Sequence, residues 1–229
     1  MKKAKLLVEG QGDVLFFEAL MRHLEASSNI EIAPPRAFGL DNTVSHFPNL
    51  IDLLIRDLDD SRLDHLGIVA DADHVSGGGF ANRWRTLTQC LAQQGYRIPR
   101  QPPKLPHTGS IFRHKDGLPA VGLYLMPSHQ QNGMLEDLLW DGLKSEPAIK
   151  ELKDYARQVV AGLPHRLFSE YHLTKAWLYT WLAWQKRPGQ TLDVTVNGKL
   201  LDYGLDSLKG FLTWLGKVFP FIDHKKLAS

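Results

Sequence analysis

Two carboxylates close an apolar run in Leu66-Gly67-Ile68-Val69-Ala70-Asp71-Ala72-Asp73. The run is short, unbroken and bounded by polar residues, the pattern of a strand buried on both faces in a parallel sheet. In extended backbone alternate side chains share a face, so Asp71 and Asp73 are expected to point the same way. Their Cα atoms would lie about 6–7 Å apart. Carboxylates that close repel unless a cation sits between them. Mg²⁺ takes oxygen ligands, often one or two carboxylates, and keeps several waters. Ligands of open α/β sheets gather at the carboxyl ends of strands, where this pair falls. An aspartate after a strand can also cap a helix or sit in a solvated turn. Val75-Ser76-Gly77-Gly78-Gly79 separates Asp71 from the next helix, which argues against a simple cap there.

Other acids occupy similar positions. Leu6-Leu7-Val8 reads as a first strand and runs into Glu9-Gly10-Gln11-Gly12-Asp13. The glycines permit a tight turn or close approach of a ligand. Asp13 can cap the following helix. Leu15 holds the third position of GxGxxG and no GxxxxGK[ST] occurs, so the turn is read as presenting Glu9 rather than as a phosphate loop. Glu136 and Asp137 fall in the first turn of a helix, where the dipole alone would favour acids. Lys175 lies in a helix that is apolar nearly all round, so it must snorkel outward or meet an anion. Cys90 reads as a buried thiol, and no CxxC or Cys/His cluster points to zinc.

The elements that must position these residues alternate. Strands are expected at Leu6–Val8, Glu31–Arg36 and Leu66–Ala70. Helices are expected from about Asp13, over Phe47–Leu58 and over Phe80–Gln94. That order argues for a parallel sheet with right-handed crossovers. Pro34 and Pro35 limit the pairing of the second strand, which is expected to be short or at an edge. Ser110–His114 and Ala120–Met126 read as a hairpin around Lys115-Asp116-Gly117. The rest is helical: Glu146 to Ala161, Leu173 to Lys186 and Asp206 to Phe219. Trp177, Trp181, Trp184 and Trp214 are read as core. The fold class is α/β, a mainly parallel sheet with helices on both faces. Residues 1–145 form the α/β domain, and 146–229 a helical extension packed on the same core.

With 229 residues, 43% hydrophobic and 23% charged, the composition is that of a globular protein. One cysteine excludes an internal disulfide framework. No signal-peptide core or transmembrane-length run occurs, so a cytoplasmic protein is expected. Net charge is only +2, but its distribution is uneven. Arg83, Arg85, Arg97, Arg100, Lys104, Arg113 and Lys115 fall in a segment without a single Asp or Glu. Trp84, Tyr96 and Phe112 are interleaved with them. Phosphates bind such surfaces and aromatic faces stack on bases; a solvated basic face is the plainer alternative.

Taken together, Val8-Glu9-Gly10 with Asp13 and Asp71-Ala72-Asp73 resemble the two signatures of the Toprim (topoisomerase–primase) superfamily. Met126-Pro127 leading into Gly133-Met134-Leu135-Glu136-Asp137-Leu138 resembles a narrower group. So does Thr174-Lys175-Ala176 through Trp181-Leu182-Ala183 to Pro188-Gly189. That group comprises short stand-alone Toprim-like proteins near the Toprim half of OLD-family nucleases. The resemblance implies a Toprim-like sheet, with Mg²⁺ or Mn²⁺, one or two ions, held by acids. Glu9 matches a general acid/base or metal ligand, and Asp71 and Asp73 the metal-binding pair. Asp13 and Glu136 match further acids, and Lys175 a lysine that neutralises phosphate. Val75 stands where topoisomerases carry a third alternate acid, and the chain has no ATPase domain. The function so implied is metal-dependent phosphodiester hydrolysis of DNA or RNA. The alternative is a non-catalytic module binding nucleic acid, nucleotide or a protein partner.

Overall fold

The computed structural model describes residues 3–41 and 44–223. Residues 1–2 and 224–229, at the outer ends of the two expected segments, lie outside the described residues. Five strands form one sheet: β1 (Ala4–Leu7), β2 (Ile30–Ala33), β3 (His65–Asp71), β4 (Ser110–Phe112) and β5 (Val121–Met126). Their order is β2-β1-β3-β5-β4. All neighbours are parallel except β4, which runs antiparallel to β5. The mainly parallel sheet and the terminal hairpin are therefore as expected. β2 lies at an edge, and its prolines lead into a 3₁₀ turn over Pro35–Phe38.

Eight helices accompany the sheet among the described residues: α1 (Gln11–His23), α2 (Phe47–Asp59), α3 (Gly79–Gln93), α4 (Leu135–Gly142), α5 (Pro147–Ala161), α6 (Leu173–Ala183), α7 (Val194–Asn197) and α8 (Asp206–Val218). The alternation along β3 and β5 explains how they divide. Leu66, Ile68, Leu123 and Leu125 pack with Leu54 of α2 and Leu87 of α3. Val69 and Tyr124 face the other way, onto a layer with Phe17 of α1, Leu138 of α4, Leu178 of α6 and Phe211 of α8. Strands buried on both faces need apolar residues at every position, hence the unbroken runs.

Gly67 and Gly122 are paired across β3 and β5. A Cβ at Gly67 would come within 2.9 Å of Leu6 and 3.2 Å of Phe219, and one at Gly122 would collide with Val218. Their bareness lets α8 lie directly against the middle of the sheet, so the C-terminal helices share its core.

The tryptophans divide differently from expectation. Trp181 and Trp214 are buried. Trp177 is half-buried beneath the Arg157 guanidinium. Trp184 is 36% exposed and rests on Tyr155, because α6 stops at Ala183 and leaves it past the last turn. Among the described residues no helix is long and apolar enough to cross a membrane.

Candidate metal centre at the carboxyl end of the sheet

β1 and β3 lie side by side with Leu7 opposite Ile68, so the chain leaves both strands at the same end of the sheet. Two residues past Leu7, Glu9 turns toward β3, and its Oε1 accepts the Asp71 N–H at 2.8 Å. Acids far apart in sequence meet because neighbouring parallel strands end together.

Asp13 is the third residue of α1. Its Oδ2 accepts the N–H groups of Gly10 (2.9 Å) and Glu9 (3.1 Å), fastening the helix start to the turn before it. The cap itself is Gly10, so Asp13 supplies the third-position half of a capping box. Gly10 has extended backbone, φ −141. The turn thus uses its free N–H rather than any left-handed freedom.

Asp71 Oδ1 accepts the N–H of Leu135, first residue of α4, at 2.9 Å. It does cap a helix, but one from a distant part of the chain, whose N-terminus favours an anion. Glu136 follows on α4, only 4% exposed. Its Oε1 lies 2.9 Å from Lys175 Nζ on α6, so of the two expected alternatives the lysine meets an anion. Asp137 behaves as a local cap: its Oδ2 accepts the Met134 N–H at 2.7 Å.

Asp73 departs from the expected alternation. The strand ends at Asp71, and Asp73 adopts left-handed backbone, φ 59. A two-bond bridge to Gly133 holds that conformation, which aspartate tolerates better than most residues. Its carboxylate is ion-paired with Arg83, whose Nε also donates to the Asp71 carbonyl at 3.0 Å. Arg83 therefore braces the two acids from within, unlike the other cations of the basic segment.

Five carboxylates (Glu9, Asp13, Asp71, Asp73 and Glu136) thus share a small region with two cations, Arg83 and Lys175. Burial pushes Glu9 up to about 8, against the pull of Arg83 and the Asp71 N–H. Burial likewise raises Asp13 to about 6, opposed by the Gly10 N–H and reinforced by Glu136. Asp71 is raised well above the usual carboxylate range by burial and by the charges of Glu9, Asp13 and Glu136. Burial works against the Lys175 charge, but Glu136 prevails and holds it up.

Tyr179, one turn beyond Lys175, is a residue that sequence reading missed. Burial and the Glu136 charge raise its hydroxyl, and Asp13 contributes. Its i+4 relation to Lys175 was the available signal. At the rim, His74 stacks on Tyr171 with ring centroids 5.8 Å apart, joining the loop after β3 to the turn before α6.

All the site's candidate ligands are oxygens, the set preferred by Mg²⁺ and Mn²⁺. Glu9, Asp71 and the remaining oxygens of Asp13 and Glu136 are the groups that could hold such an ion. Among the described residues no group of three or more His, Cys, Asp or Glu side chains is already arranged to hold a metal ion. Mg²⁺ keeps several waters and does not require one.

The rest of the basic segment lies apart from these acids in its contacts. Arg85, Arg97, Arg100, Lys104, Arg113 and Lys115 are exposed. Trp84, Tyr96 and Phe112, read as base-stacking faces, are instead core residues at 8%, 4% and 2% exposure. They occupy the inward positions of α3, the following turn and β4, where large rings are needed to fill the layer.

A family model described as a protein of unknown function (DUF3226) matches residues 3–220, nearly the whole chain, and the chain belongs to that family. No curated protein and no solved structure matches it.

Proposed function

We propose that this DUF3226 chain is a divalent-metal-dependent phosphodiesterase of the Toprim kind, acting on nucleic acid with Mg²⁺ or Mn²⁺. One observation carries the reading: Glu9, Asp13, Asp71 and Glu136, from three separate segments, share a half-buried cluster that two cations do not balance. Buried charge is costly when unpaired, and structural ion pairs usually come balanced. A surplus of carboxylates is what a cation site requires.

When bound, a divalent ion supplies an activated water and stabilises charge on the phosphate. The chain's own residues do the rest. Glu9 holds a proton near neutral pH while the cation is absent, and can exchange one with a nucleophile or leaving oxygen. Asp71 is oriented by the Leu135 N–H, which leaves its second oxygen for the ion. Lys175, 45% exposed beside Glu136, can turn its charge toward an entering phosphate. Arg83 keeps Asp73 neutralised and the loop after β3 in place.

Asp71→Asn keeps the hydrogen bond to Leu135 but removes a charge and a ligand. Cleavage of labelled DNA and RNA oligonucleotides with Mg²⁺ or Mn²⁺ should fall roughly 100-fold or more, above the usual cost of a lost outer-shell partner. Undiminished cleavage sinks the proposal.

The Arg83–Asp73 ion pair favours a second reading. It commits one aspartate of the pair to a protein cation, as a module that binds without turnover could afford. That reading is preferred if oligonucleotides bind but no metal supports cleavage.

A further inference from the structure

We infer that a trough between α3 and β4 is the binding path for single-stranded nucleic acid leading to the acid cluster. The inference rests on the proposed phosphodiesterase reading for its direction, but its observations are separate. Two hollows lie on this side of the molecule. One, of about 460 Å³, is lined by Trp84, Arg85, Thr88, Ile98, Pro99 and Arg100. The other, of about 540 Å³, is lined by Arg97, Ile98, Pro99, Pro103, Ile111 and Phe112. Ile98 and Pro99 border both, so the two hollows adjoin.

Its charge is one-sided. Arg85, Arg97 and Arg100 line it, and no Asp or Glu does. Arg113 is held beside Arg97, whose N–H donates to the Arg113 carbonyl at 3.0 Å. Among the described residues none of these four arginines has an ion-pair partner. Arg62, Arg83, Arg157 and Arg166 each have at least one. Arg85 donates only to Asn82 Oδ1, at 2.7 Å, which leaves its charge unanswered. One helix links the two: α3 carries Arg83 to Asp73 and, two residues on and so on another side of the helix, Arg85 to the first hollow.

The floor decides between kinds of polyanion. Ile98, Pro99, Pro103 and Ile111 put apolar surface between the arginines, and Ile111 is 41% exposed. A duplex keeps its base faces stacked inside and offers phosphates, sugars and groove edges to such a surface. A single strand turns its bases into apolar hollows while its phosphates meet the cationic fringe. Each hollow is of a size that holds a small planar group.

The test is fluorescence anisotropy with a labelled 20-nucleotide single strand and its duplex, in EDTA so that no cleavage intervenes. The wild type should bind the single strand at least tenfold more tightly than the duplex. Arg97→Glu/Arg100→Glu, both at exposed sites, should weaken that binding tenfold or more and flatten its salt dependence. Unchanged thermal unfolding would show that this variant is folded. Equal binding by variant and wild type, or tighter binding of duplex, overturns the inference. The two proposals fail separately. Intact binding by the charge-reversed variant with loss of cleavage in Asp71→Asn sinks only the trough. Trough-dependent binding with no cleavage under any divalent ion sinks only the phosphodiesterase.

Discussion

Two polar regions flank the end of β5, one buried and one half-buried, and they satisfy their polar groups differently. His129 is buried among Trp84, Tyr124 and Phe80. Its Nδ1 accepts the Leu125 N–H and its Nε2 meets Ser110 Oγ, each at 2.9 Å. One nitrogen accepts and the other donates, so the neutral ring is fully satisfied, and burial lowers its pKa to about 3. The acid cluster also uses backbone N–H groups: those of Asp71, Glu9, Gly10 and Leu135 donate to oxygens of Glu9, Asp13 and Asp71. These bonds occupy only one oxygen of each carboxylate, and the charge is not settled. A buried polar group whose partners cancel its needs is architecture. One whose partners leave charge over is a place for something to bind.

The comparison breaks most sharply on the histidine side. His129→Ala removes two buried hydrogen bonds, orphans the Leu125 N–H and opens a cavity, so unfolding in urea should show a loss of about 2–4 kcal/mol. Metal binding should be unaffected. On the acid side the sign reverses. Asp71→Asn relieves repulsion, so without divalent ions the variant should be more stable than wild type by about 1 kcal/mol, as is common when a functional strain is removed. Added Mn²⁺ should stabilise the wild type and not the variant.

The two regions also pull stability in opposite directions with pH. The folded state binds fewer protons at His129 than the unfolded chain does below pH 6.5. Stability from this residue is therefore lost as pH falls from about 6.5 toward 3. Glu9 and Asp13 have raised values and bind more protons folded than unfolded. Without divalent ions their contribution is present at low pH and lost as pH rises toward about 6 for Asp13 and about 8 for Glu9. Urea midpoints measured in EDTA should fall toward both ends, and Glu9→Gln should flatten the alkaline side alone. The smallest effect belongs to the surface: Arg97→Glu/Arg100→Glu should change unfolding free energy by less than about 0.5 kcal/mol per site, since both arginines are exposed.

Much of this was legible in the sequence because it depended on period and punctuation. Unbroken apolar runs at Leu66–Ala70 and Val121–Met126 marked strands covered on both faces, and Pro34-Pro35 marked an edge. The meeting of Glu9 with Asp71 followed from strands ending together. Long-range pairing was not legible. Nothing local tells Arg83 to reach Asp73, Asp71 to cap α4 or His129 to close a knot with Ser110. Asp73 misled because a bridge to Gly133 overrode strand alternation. Trp84, Tyr96 and Phe112 misled because an aromatic between arginines looks the same whether it faces solvent or core. Tyr179 escaped notice although it sits one helical turn from Lys175.

The central claim is that chain topology gathers these acids into one cation site. Titration calorimetry with Mn²⁺ at pH 7, run in two buffers of different ionisation enthalpy, tests it most directly. Saturable binding is expected, with proton release seen as a buffer-dependent heat because Glu9 must give up its proton, and both Glu9→Gln and Asp71→Asn should abolish it. Absence of binding to the wild type, or equal binding by both variants, would contradict the account.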